Sequence, residues 1–87
     1  MTEKELAAIL IKNAEHYHDP KNSAFPSIVI DKKDYSDFNI EKLKKELEKQ
    51  NYDLIDGTLA PAPFNQMEPE FKAKKWYIYR TTLSWFN

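Results

Sequence analysis

Trp76-Tyr77-Ile78-Tyr79-Arg80-Thr81-Thr82-Leu83 is the stretch that decides the fold. It is almost entirely β-branched and aromatic, and such side chains fit the pleated, half-buried surface of a sheet. A strand is predicted from Lys75 to about Trp85. Successive side chains point to opposite faces of a strand. Tyr77, Tyr79, Thr81, Leu83 and Trp85 therefore share one face, which carries no charge. Trp76, Ile78, Arg80, Thr82 and Ser84 share the other. The uncharged face is expected to pack on helices, leaving Trp76, Ile78 and Arg80 outward.

Working back from this strand, residues 60–72 read as a loop. Pro61, Pro63 and Pro69 argue against regular structure across it. Tyr52 to Leu59 reads as a second strand, interrupted at Asp56-Gly57. Gly57 is the chain's only glycine, and a bulge or tight turn there would account for it. Ile40 to Gln50 reads as a helix with Asn39 as its cap and an apolar stripe of Ile40, Leu43 and Leu47. Glu41 with Lys45, and Lys44 with Glu48, are spaced to pair on its exposed side. Asn51 suits a left-handed terminator. Asp31 to Phe38 is polar with two aromatics, and fits a loop or one short helical turn. Pro26-Ser27-Ile28-Val29-Ile30 reads as the first strand. Before it, a Pro/Asn/Ser-rich loop follows a helix from Glu3 to Tyr17. That helix opens on a Thr2/Glu5 capping box and carries Leu6, Ile9, Leu10, Ala14 and Tyr17 as an apolar stripe. Asp19-Pro20 stops it.

The 87 residues fit one α+β domain, 1–87, of order α-β-α-β-β, with a three-stranded sheet packed on two helices. Two architectures fit that order. In one, the first two strands and the second helix make a right-handed crossover and the last strand pairs antiparallel. In the other, Lys32 to Phe38 is a helix. The order is then that of a winged helix-turn-helix, in which Lys74 to Thr82 resembles the closing strand of a wing. The generic sandwich stands ahead, because no diagnostic motif supports the second.

Composition narrows the function. There is no cysteine, so thiolate metal sites, cysteine nucleophiles and disulfides are excluded. That balance favours the cytoplasm. The start Met1-Thr2-Glu3-Lys4-Glu5 is acidic, unlike a signal peptide, and no apolar run is long enough to span a membrane. Lys plus Arg number 13 against 14 Asp plus Glu, for a net charge of −1. Such a balance gives no global field to steer the chain to nucleic acid or anionic lipid. Arg80 is the sole arginine, whereas specific base recognition favours arginine forks. The Lys, Asn and Ile bias is that of a low-GC bacterium or its phage.

No motif marks an enzyme. One glycine cannot build a phosphate-cradling loop, and no serine sits in a nucleophile elbow. His16 and His18, with Asp19, offer metal-ligating atoms. Residues two apart on a helix point about 200° apart, however, so no metal site is assigned, and no cofactor is implied. Asp31, Asp34 and Asp37 lack the spacing, glycine and closing glutamate of a calcium loop. On the second helix, Lys44, Lys45 and Lys49 alternate with Glu41, Glu46 and Glu48, as on a solvated face.

The basic and aromatic residues of the last strand are the best candidate surface. Lys74, Trp76, Ile78 and Arg80 are its expected partner-binding residues. Alternatively, the helices take opposite faces of the sheet, or the proline-rich loop with Phe64, Met67 and Phe71 folds back over these residues as a lid. Trp, Tyr and Arg dominate protein interfaces. The expected function is a non-enzymatic interaction module, of adaptor or inhibitor type, binding a protein partner or itself through the C-terminal strand and the adjacent Pro-rich loop. Duplex DNA held by a winged helix is the alternative, with steep salt dependence as its mark.

Overall fold

A computed structural model describes residues 1–21, 25–61 and 66–81. The chain folds in the order α1 (Glu3–His16), β1 (Ser27–Asp31), a 3-10 turn (Lys32–Tyr35), α2 (Ile40–Glu48), β2 (Tyr52–Asp56), a second 3-10 turn (Gly57–Leu59), α3 (Pro69–Ala73) and β3 (Lys75–Arg80). The sheet order is β1-β3-β2, with both pairings antiparallel. The two outer strands thus run parallel to each other, with the last strand between them. This is an α+β domain whose three-stranded antiparallel sheet packs on two main helices.

Local signals set the helix ends. The Thr2 hydroxyl accepts from the Glu5 N–H at 3.1 Å, and the Glu5 carboxylate accepts from the Thr2 N–H at 3.0 Å, completing the capping box. The Asn39 side chain caps α2 by accepting from the Lys42 N–H at 3.1 Å. Asn51 takes φ 66° after α2, as a left-handed terminator should. Glu3 joins the two helices. It accepts from the Asn39 N–H at 3.1 Å and lies 3.7 Å from the Lys42 ammonium.

The core lies between the helices and one face of the sheet. Leu6, Ala7, Leu10, Ile11 and Ala14 of α1 meet Leu43 and Leu47 of α2 over Ile30, Tyr52, Leu54 and Ile78. The buried stripe of α1 is rotated from the expected one. Ile9 is 43% exposed and Tyr17 77% exposed, and Ala7 and Ile11 are buried instead. Lys44 does not pair with Glu48. Its ammonium reaches across to Asp53 and donates to the Leu54 carbonyl at 2.9 Å, pinning α2 to β2.

Two further expectations are corrected. β2 ends at Asp56, and Gly57 opens a tight 3-10 turn of ordinary φ and not a bulge. A Cβ there would sit 2.3 Å from the Lys72 carbonyl oxygen, so glycine is needed because another backbone passes against it. That backbone belongs to α3, which lies within the stretch expected to be irregular. Pro69 sits in its first turn, where a missing N–H costs nothing. The segment a winged helix-turn-helix requires as its second helix is only a single 3-10 turn, Lys32–Tyr35. No helix among the described residues is long and apolar enough to cross a membrane.

Candidate functional site

The register of β3 reverses the expected faces. Ile78 lies opposite Ile28 on one side and Leu54 on the other, and is 0% exposed. Trp76 pairs with Ile30 and Asp56 and packs against the core. Arg80 pairs with Tyr52, and its Nε is buried. Trp76, Ile78 and Arg80 therefore look toward the helices. Ile78 is out of reach of any partner. Lys74 lies just before the strand and is exposed. Phe64 and residues 82–85, invoked above for the lid and the strand's far end, fall outside the described residues. Met67 and Phe71 are exposed, and the Phe71 ring lies 4.6 Å from the Lys75 ammonium.

The opposite face points away from α1 and α2, and Phe71 of α3 meets Lys75 at one end of it. Its central row is Val29, Tyr77 and Ile55, followed by Ser27, Tyr79 and Asp53. Val29 is 37% exposed, and Ile55, Tyr77 and Tyr79 are half-buried. The rings of Tyr77 and Tyr79 stack at 5.5 Å between centroids and 28° between planes, within the range of favourable aromatic pairs. Sequence reasoning named the two tyrosines but turned them inward, and it missed Val29 and Ile55 as their neighbours. Asp53 was the available signal. In the alternation Tyr52-Asp53-Leu54 the carboxylate marks the outer face, and the register places Tyr79 beside it.

Charge on this face is paired internally. Asp31 and Lys75, opposite each other in the β1–β3 register, form an ion pair. The Lys75 hydrogen bond holds the Asp31 carboxyl below the usual range. At the other end Asp53 pairs with Lys44. Burial pushes the Asp53 pKa up, but the Lys44 bond and the Leu54 N–H outweigh it, and the net shift is downward. Burial, then the Asp53 charge, raises the pKa of the Tyr79 phenol. The face thus offers aromatic and aliphatic surface with its charges compensated at both ends.

Beside this face, on the helix side, Lys32 ion-pairs with Asp56 at 2.6 Å and lies 4.4 Å over the Trp76 ring. The Lys32 bond and the Thr58 N–H hold the Asp56 pKa at about 2. α1 ends at His16, whose ring meets Tyr17 edge-on. No three His, Asp or Glu side chains among the described residues converge to hold a metal. No protein family, curated protein or solved structure matches this chain.

Proposed function

We propose that the protein is a non-enzymatic interaction module whose contact surface is the face of β3 turned away from α1 and α2, and that the partner this face fits is a second copy of the chain. The carrying observation is Val29, 37% exposed, in the row Val29, Tyr77, Ile55 on the face of the sheet away from α1 and α2. Tyrosine supplies large contact area at low entropic cost. The Asp31–Lys75 and Asp53–Lys44 pairs leave this face without net charge. Two copies therefore meet across a two-fold axis without repulsion, sheet on sheet about 10 Å apart.

The face is small. Three strands of up to six residues span about 15 by 20 Å, below the roughly 800 Å² per partner of a standard interface. A weak dimer follows, with a dissociation constant on the order of 100 μM. Sedimentation equilibrium over a concentration series tests this. The wild type associates, and Val29→Asp is monomeric with unchanged circular dichroism. A wild type that stays monomeric at about 1 mM, well above that constant, sinks the reading.

A further inference from the structure

The sequence carries two Lys-Lys pairs, Lys32-Lys33 and Lys74-Lys75, far apart in the chain. The end of the β1–β3 ladder brings them side by side. The Lys32 N–H donates to the Lys74 carbonyl at 2.9 Å, and Asp31 lies opposite Lys75. Each pair has one lysine tied and one untied. Lys75 is held by Asp31 and sits 4.6 Å over the Phe71 ring. Lys32 is held by Asp56 and the Trp76 ring. Lys33 and Lys74 are exposed and make no ion pair with any described residue.

These residues line one open cavity of about 650 Å³, with Phe71 as its apolar wall. That size falls within the roughly 300–1,000 Å³ of small-molecule sites. Four lysines face Asp31 in the cavity and Asp56 behind Lys32. Four minus two leaves an excess of two positive charges, in a chain whose net charge is −1.

We propose that this cavity binds a small phosphate monoester, with the phosphate between Lys33 and Lys74 and the apolar part of the molecule against Phe71. Lysine acts as a compact point charge that suits a dianion with several oxygens. A planar carboxylate is better met by the arginine fork, and the cavity has no arginine. Duplex DNA calls for a long series of phosphate contacts, and a cavity with two untied lysines does not provide one. The site shares the Asp31–Lys75 pair with the end of the self-association face proposed above, but Lys33 follows β1 and Lys74 precedes β3, outside the strands of that face.

Titration of isotope-labelled protein with phenyl phosphate, followed by backbone amide shifts, tests the proposal. Saturable shifts are expected at residues 31–33 and 71–75, with half-saturation near about 1 mM in low salt and weakening as salt screens the charges. Phenyl phosphate binds several-fold tighter than inorganic phosphate, because Phe71 contributes apolar contact. The double variant Lys33→Gln, Lys74→Gln keeps the wild-type melting temperature and loses at least about tenfold in affinity. Val29→Asp binds phenyl phosphate as the wild type does, which separates this site from the dimer face. No saturation by about 10 mM, tenfold past the expected midpoint, overturns the proposal, as does wild-type affinity in the double variant. Tighter binding of hexaglutamate than of phenyl phosphate also overturns it, in favour of an acidic peptide.

Discussion

Tyr52 is 3% exposed, yet its hydroxyl finds no hydrogen-bond partner among the described residues. Burial pushes its pKa up to about 12; the Glu15 charge adds to the rise and Arg80 opposes it. The ordinary tyrosine value is about 10. The folded state therefore holds the Tyr52 proton more tightly than the unfolded chain does. Its contribution to stability is complete below about pH 10 and is lost as pH rises through about 12. Two pKa units correspond to a loss on the order of 2 kcal/mol across that window. Tyr52→Phe removes both the titration and an unmet polar group. We expect the variant to be as stable as the wild type at pH 7, or more stable by up to about 1 kcal/mol, and to lose less stability between pH 10 and 12. Urea unfolding at pH 7, 10 and 11.5 checks this. A Phe variant more than about 2 kcal/mol less stable at pH 7 would show that the hydroxyl is satisfied after all.

Among the elements, α3 is seated against the turn that begins at Gly57 and against β3. Its C-terminal carbonyl at Lys72 lies where a side chain on Gly57 would be. Gly57→Ala forces the two backbones apart, at a cost of about 1–3 kcal/mol, or roughly 5–20 °C in melting temperature for a domain this small. Hydrogen exchange at residues 69–75 should quicken in that variant, since α3 and the start of β3 rest on this contact. An unchanged melting temperature would mean that α3 is not seated as described. Short-range chemistry made much of the architecture legible. Thr2 with Glu5, Asn39 and Asn51 each act within three or four residues of themselves, so the sequence shows both partners. α3 was not legible, because the reason for Gly57 is a backbone distant in sequence. Alternation in β3 was legible as a period, but its sense was not. Arg80 suggested an exposed face, whereas the central position of β3 makes Ile78, between Ile28 and Leu54, the innermost residue of the sheet.

At the scale of the whole molecule the domain is a slab of 34 × 32 × 18 Å, with α1 and α2 on one side of the sheet. This separates stability from recognition. Leu43 and Leu47 are fully buried on the helix side, and Ile78 meets them from the sheet. Val29 and Tyr77 lie on the other side, and little of the folding energy passes through them. The Lys33–Lys74 cavity sits at the end of the slab and is not part of the core. Leu43→Ala therefore costs about 2–5 kcal/mol from lost contact and cavity formation, a large share of the stability of a small domain. Val29→Ser, on the half-open face, costs less than about 1 kcal/mol. The two variants should also differ in association. Leu43→Ala, examined well below its lowered melting temperature, still dimerises as the wild type does, because its contact face is unchanged. Val29→Ser melts near the wild type but dissociates at higher concentration. Chemical denaturation and sedimentation on the same two samples supply the four readings. If Val29→Ser is as destabilised as Leu43→Ala, the outer face is a second core surface and the division between the two sides of the sheet fails.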